Sequence, residues 1–301
     1  PLTSRMTFRT AGRVEHAGYT GTAFDPATVT ESPASPSFTL YSGSAALVFD
    51  VGKDIKLGAS VQEVQRAPAL LELFSKGAHD ATSTFEIGDA GLNKEKAYSA
   101  ELSLRRKTGA VTFDLAAFYN AFKGFIFKRF TGLSCGDDFA SCGVDNELTQ
   151  IVYSQENATF YGVELTTSWK VLKISGGDFG VKGRFDFVRA TLNNGGNVPQ
   201  ISPRRYGASL FYDHDALQGK VSLLRIGRQD KVAAFETPTK GYLQLDANAF
   251  YRMKVGGRGS IDWGISATNL LDEDARNHVS FKKADVLLPG RSVRFTLTAH
   301  Y

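Results

Sequence analysis

The sequence predicts an all-β fold, an antiparallel transmembrane β-barrel with about twelve strands present. Three observations carry this. Apolar and polar residues alternate with period two almost everywhere, the connections between alternating segments are short and long by turns, and aromatic side chains collect on the apolar face beside the short turns.

Taken in chain order, the alternating segments run over 5–16, 38–51, 55–66, 93–107, 110–128, 150–171, 179–192, 204–216, 219–229, 240–254, 259–271 and 290–301. In the third, Ile55, Leu57, Ala59 and Val61 oppose Lys56, Gly58, Ser60 and Gln62. In the fifth, Val111, Phe113, Leu115, Ala117 and Tyr119 oppose Thr112, Asp114 and Asn120. The sixth sets Val163, Leu165, Thr167 and Trp169 against Glu164, Thr166 and Ser168, and the tenth sets Leu243, Leu245, Ala247, Ala249 and Tyr251 against Gln244, Asp246 and Asn248. The last is the cleanest, with Val293, Phe295, Leu297, Ala299 and Tyr301 on one side and Arg294, Thr296, Thr298 and His300 on the other. Successive strand side chains point to opposite faces, so each segment has one apolar and one polar face. Most have the nine or so residues that cross a bilayer when tilted.

Short turns are expected at Gly52-Lys53-Asp54, Lys107-Thr108-Gly109, Ser175-Gly176-Gly177, Leu217-Gln218 and Gly256-Gly257-Arg258. Long connections are expected at 17–37, 67–92, 129–149, 193–203, 230–239 and 272–289. Bacterial outer-membrane barrels have this asymmetry, with short periplasmic turns and long extracellular loops. The expected localisation is therefore the bacterial cell outer membrane.

Phe49, Phe113, Trp169, Phe179, Tyr212, Tyr251 and Trp263 fall on the apolar face near a short turn, and Tyr301 does so at the terminus. This is the girdle expected where a lipid-facing surface meets headgroups. No apolar run approaches the ~18 residues of a transmembrane helix. The net charge of +4 is small and spread along the chain, so no nucleic acid is expected as a partner. No signal peptide is seen ahead of Pro1, which points to a processed, trimmed or internal start.

One segment resists the pattern. Strict alternation over Lys220–Gly227 puts Arg225 on the face of Val221 and Leu223. A lipid-facing Arg at the midplane costs roughly 2–4 kcal/mol, so a bulge at Leu223-Leu224 is expected to turn Arg225 inward.

No catalytic signature is present, and neither an enzyme nor a cofactor is expected. Gly257 and Gly259 begin a dinucleotide-like pattern, but Asp262 occupies its third glycine position in a hairpin context. The sequon Asn157-Ala158-Thr159 falls inside an expected strand and is read as chance.

Several segments resemble the TonB-dependent receptors. They are VQEVQRAPALLELFSKGAHDATSTFEIGDAGLNKEKAYSAELSL, with its Arg-x-Pro and Glu-Leu-Phe helix; GAVTFDLAAFYNAFKGFIF; NATFYGVELTTSWKV; VPQISPRRYGASLFY; ETPTKGYLQLDANAFYRM; ATNLLDEDARNH; and the closing RSVRFTLTAHY. Their order and spacing carry the likeness from about residue 38 onward, nearest the zinc- and haem-uptake branches. The resemblance implies the C-terminal portion of a barrel of about 22 strands, without its plug, so that residues 1–301 form a partial outer-membrane β-barrel domain. It implies energy-coupled uptake of a scarce nutrient such as a metal complex or siderophore. The implied partners are outer-membrane lipid, the barrel assembly machinery, a small-molecule or metal-complex ligand, and the TonB energy-transducing complex through the missing plug. Phe295, Leu297 and Tyr301 resemble the family's C-terminal assembly signal, with Tyr in place of the commoner Phe.

Cys135 and Cys142 lie in one long loop, where an oxidising compartment favours a disulfide over a metal site with too few ligands. His79 and His278, with Asp80 or Asp89, are loop candidates for a transition metal, weighed against ordinary solvated histidines. Arg9, Arg13, Glu15, Glu101, Arg105, Asp114, Glu164, Lys182, Arg184, Asp186 and Asp246 are expected on the inner face, lining water, packing on a plug or satisfying one another. Two other readings stand beside the receptor. One is a complete twelve-stranded channel or outer-membrane hydrolase, although no histidine stands beside a suitable serine; the other is a soluble β-rich binding protein.

Overall fold

A computed structural model describes residues 5–257 and 259–301. The strands are β1 (Met6–Gly18), β2 (Gly21–Asp25), β3 (Thr30–Ala34), β4 (Ser37–Gly52), β5 (Ile55–Arg66), β6 (Lys76–His79), β7 (Thr84–Ile87), β8 (Glu95–Arg106), β9 (Val111–Cys135), β10 (Leu148–Ile174), β11 (Gly177–Leu192), β12 (Arg205–Asp213), β13 (Leu217–Ile226), β14 (Tyr242–Val255), β15 (Gly259–Thr268) and β16 (Ser292–His300). A five-residue helix, α1 (Leu70–Phe74), precedes β6. Among the described residues no helix is long and apolar enough to cross a membrane.

Twelve of these strands form one antiparallel path, β1-β4-β5-β8-β9-β10-β11-β12-β13-β14-β15-β16. They correspond one for one to the twelve expected from alternation. The remaining four fall inside expected loops: β2 and β3 form a hairpin within 17–37, and β6 pairs with β7 within 67–92. The expected loop 129–149 is also partly strand, because β9 and β10 continue into it.

The path does not close. Among the described residues β1 pairs only with β4 and β16 only with β15, which leaves one backbone edge of each unpaired.

Turn chemistry fixes the hairpins. Lys53 and Asp54 have φ of 53° and 60°, and Ser175 and Gly176 have φ of 47° and 85°. Two successive positive φ values are what a type I′ hairpin needs. The turn expected at Leu217-Gln218 lies earlier, where His214 and Leu217 exchange backbone hydrogen bonds of 3.0 and 3.1 Å and Leu217 already starts β13. Of the turn expected at Gly256-Gly257-Arg258, Arg258 lies outside the described residues. Between β9 and β10 the register shifts beside Gly124, whose φ of 67° favours glycine and suits a bulge.

The register shows how the outer face is built. One row runs Met6, Phe49, Leu57, Leu104, Leu115, Leu165, Phe185, Tyr206, Arg225, Leu243 across neighbouring strands. At Leu57 it lies beside a short turn, and at Arg225 it has reached the penultimate residue of β13, beside a long connection. That climb is the stagger of a barrel wall. It also corrects the expectation for Arg225. The ladders on both sides of β13 are regular, with no bulge at Leu223-Leu224, and Arg225 is exposed on the outward face. No bulge is needed, because the stagger carries the guanidinium to the rim, where a cation costs only about 0–1 kcal/mol.

The girdle beside the short turns has a counterpart that alternation alone did not reveal. Tyr41, Tyr98, Tyr119, Tyr161 and Tyr206 are exposed on the same outward face toward the long-connection end. On β16, Phe295 and Leu297 are 75% and 62% exposed, in outward rows with Ile265 and Trp263. Arg294 and Thr296 take the opposite face, as does Glu164 beside Leu165. The buried apolar clusters lie toward the long-connection end, around Phe85 and Ile87, Leu73 and Tyr153, Ala158 and Ala190, and Ile226 and Tyr242. The membrane-spanning part of the wall is thus a single layer, and the packed core sits in a cap above it.

Candidate functional site

The cap begins at the end of β5. The Arg66 guanidinium donates to Glu72 at 2.7 Å and to Glu95 at 3.2 Å, pinning α1 against the start of β8. Glu72 also accepts from the Ala69 backbone N–H at 2.7 Å and so caps the helix. Pro68 and Leu73 are fully buried, and Leu73 packs with Leu92, Ile126 and Tyr153. A helix this short has little stability of its own, so tertiary burial holds it.

Two buried glutamates organise the rest. Glu86 on β7 is held where β7 runs parallel to β10, from Thr84↔Thr149 to Ile87↔Val152. Its carboxylate accepts from Lys128 Nζ at 2.6 Å, the Tyr153 hydroxyl at 2.9 Å and Thr84 Oγ1 at 3.1 Å, and pairs with His79 Nδ1 at 2.9 Å. Burial pushes the Glu86 carboxyl up, but hydrogen bonds from Lys128, His79 and Tyr153 outweigh it and hold the group below its ordinary value.

Glu236, in the β13–β14 connection, ties three connections together. It accepts from the Gln200 backbone N–H at 3.0 Å, from its own loop's Ala233 N–H at 2.9 Å, and from Lys283 Nζ at 2.6 Å. His278 Nε2 lies 3.2 Å away, with its Nδ1 2.9 Å from Thr239 Oγ1. Burial raises the Glu236 carboxyl, but His278, Lys283 and the Ala233 N–H bring it down to about 2. Burial pushes the Lys283 ammonium below its usual value despite Glu236. Phe281 links the two clusters, its ring 5.7 Å from that of Phe130 and 5.1 Å from Lys128 Nζ. Further ties join the same connections: Asn197 donates to the Val232 carbonyl at 2.7 Å and Gln200 to the Val279 carbonyl at 3.0 Å.

The structure separates the two histidines singled out in the sequence. His79 is engaged by Glu86 and His278 by Glu236 and Thr239, and no bond joins the two sets. Asp89 serves the Gly91 N–H in a turn. Among the described residues no group of three or more His, Cys, Asp or Glu side chains is placed to hold a metal. Cys135 and Cys142 are joined by a disulfide at the tip of the β9–β10 hairpin. On the inner wall Arg13 pairs with Glu15, Arg105 with Asp114 at 2.9 Å, and Asp186 bridges Arg184 and Arg205 at 3.0 and 2.7 Å. Asp246 accepts from Gln244 and from the Asn269 N–H, each at 2.9 Å. Lys182 lies over the Phe211 ring. For Arg9, Glu101 and Glu164 no such partner is seen.

Sequence reasoning missed Glu86, Glu236 and Lys283. Glu236 and Lys283 are 47 residues apart and come from different connections, and no periodicity reports such a meeting. The one available signal for Glu86 was Thr84-Phe85-Glu86-Ile87, a short β-prone run inside a long loop. Chemically the cap is a hydrogen-bonded lid of polar and aromatic groups above a polar-lined wall, with no nucleophile–base arrangement among these contacts.

Comparison with known proteins gives a consistent picture. A family model described as TonB dependent receptor-like, beta-barrel, matches residues 1–270. The copper transporter OprC superposes with a TM-score of 0.77 at 16% identity, over 99% of this chain and 46% of that one. The pyoverdine outer membrane receptor FpvA from Pseudomonas aeruginosa PAO1, bound to pyoverdine, gives 0.64 at 13% identity, over 99% and 40%. The ferric yersiniabactin uptake receptor FyuA from Yersinia pestis gives 0.61 at 17% identity, over 99% and 43%. This chain spans less than half the length of each.

Proposed function

Since the chain belongs to the TonB-dependent receptor β-barrel family, we propose that it forms the C-terminal portion of the wall and the extracellular cap of an outer-membrane receptor. That receptor takes up a scarce nutrient, a metal complex or siderophore, with energy supplied through TonB. In this reading the remaining wall strands and the plug belong to the same receptor, and the barrel assembly machinery reads the β16 residues Phe295 and Leu297 with Tyr301 after them.

The observation that carries the reading is the pair of open edges on β1 and β16. Lipid cannot satisfy unpaired backbone groups, so a membrane-embedded sheet must be completed by further strands. A complete twelve-stranded channel would instead join β1 to β16. The cap supports a receptor as well, since cross-linked loops above a polar wall can close over a bound solute.

Uptake of labelled iron and copper complexes by starved cells tests the proposal. Loss of the gene should abolish uptake of one such complex, and loss of TonB should do the same. Uptake that persists without TonB would favour a passive channel.

A further inference from the structure

We infer that Lys96 and Lys123 form a binding site for the phosphate of an outer-leaflet lipid headgroup on the lipid-facing side of the wall. The site lies where β8 and β9 approach the cap. Lys96 and Lys123 are directly opposite in the antiparallel register. They share the outward face with Tyr98 and Tyr119, and they lie on the cap side of those tyrosines. An outward aromatic ring marks the boundary between hydrocarbon and headgroups, so the next residues outward stand in the headgroup layer itself.

Like charges directly opposite one another destabilise a sheet, and among the described residues neither lysine forms an ion pair with a carboxylate. Lys96 makes no ion pair or hydrogen bond among the described residues, and the recorded contact of Lys123 is with the Tyr98 ring, 5.7 Å from Nζ. Glu63 lies on the same face opposite Tyr98, but its carboxylate accepts from Gln65 at 2.8 Å and from neither lysine. Lys94, just before β8, is occupied by the Thr39 carbonyl at 2.8 Å. On the inner face, by comparison, Arg105, Arg184 and Arg205 meet carboxylates, although among the described residues Arg9 and Lys182 do not. Two ammonium groups opposite one another on adjacent strands, held at headgroup depth and in no ion pair with a carboxylate, together carry six N–H donors on one face. A phosphate monoester, with about −1.5 to −2 charge and three acceptor oxygens, matches that demand. A phosphorylated lipid supplies it at this depth, with its acyl chains lying along the apolar face below.

The inference rests on the outer-membrane placement proposed above. The test uses the protein extracted in mild detergent from the membrane in which cells insert it, as wild type, as Lys96→Ala/Lys123→Ala, as Lys96→Arg/Lys123→Arg, and as Lys56→Ala, an inward lysine. Two quantities are read: the phosphorylated glycolipid that co-purifies per protein, and the rise in Tm on adding that lipid, its dephosphorylated form or inorganic phosphate. Wild type, the Arg pair and Lys56→Ala should retain the lipid and gain Tm only with the phosphorylated form. The Ala pair should bind it on the order of tenfold more weakly. Equal retention by the Ala pair and wild type would overturn the proposal, as would an equal Tm rise with inorganic phosphate or with the dephosphorylated lipid. Recovery of wild type outside the outer membrane would overturn the placement and this site together, whereas recovery there with equal lipid would overturn the site alone.

Discussion

Glu236 and Lys283 meet at 2.6 Å with side chains 1% and 5% exposed, although they belong to different connections above the wall. Together with Gln200 and His278 they make one joint out of three loops. Replacing Glu236 by Gln keeps the shape and removes the charge, which leaves Lys283 buried without its counterion. Breaking a buried pair in this way costs about 3–5 kcal/mol. The loss should appear locally, as faster hydrogen exchange and easier proteolysis over 197–201, 230–240 and 276–286, with the wall strands unaffected. Unchanged protection of these loops would show that the joint does not hold them.

The same carboxylate sets a pH dependence. The Glu236 carboxyl lies at about 2 in the folded protein against an ordinary 4.5. A depressed carboxyl contributes stability that is fully present above the unfolded value and is lost as pH falls through the folded one. Glu86 shifts in the same direction. Protease accessibility of the cap should therefore rise as pH is lowered from about 4.5 towards 2, and Glu236→Gln should flatten the part of that response confined to 197–201, 230–240 and 276–286. A cap that opens instead on raising the pH from neutrality would have the wrong sign.

Arg225 and Leu165 share one register row but not one depth. Arg225→Leu should change folding stability in lipid vesicles by less than about 1 kcal/mol, whereas Leu165→Arg should cost roughly 2–4 kcal/mol. Equal effects in denaturant titrations would show that the row does not climb through the bilayer.

The Cys135–Cys142 bond closes only the tip of the β9–β10 hairpin. Unreduced protein should titrate no free thiol, and reduction should expose 136–147 to proteolysis while leaving the wall strands protected. Two titratable thiols in exported protein would contradict the bond.

How much of this was legible in the sequence follows from the range of each interaction. The twelve wall strands were readable because a half-buried strand writes its two faces into adjacent residues, as Val293 to Tyr301 do. Hairpin turns such as Lys53-Asp54 were readable because their chemistry is local. The position of Arg225 was not, since its depth depends on stagger accumulated from Met6 across to Leu243, and only the register reveals it. The upper tyrosine girdle escaped for the same reason. The cap was the least legible part: β2, β3, β6 and β7 are short strands inside long loops, and Glu86 and Glu236 acquire their meaning from partners brought by other segments.

In the proposed receptor the open edges of β1 and β16 are completed by further strands. Single cysteines placed in turn along Met6–Gly18 and Ser292–His300, spin-labelled in pairs in the protein inserted in its outer membrane, measure that gap directly. Separations well beyond the ~5 Å of neighbouring strands are expected at every pair, with no pair forming a disulfide on oxidation. A regular series of close pairs, stepping in antiparallel register along the two strands, would contradict this and identify a complete twelve-stranded barrel.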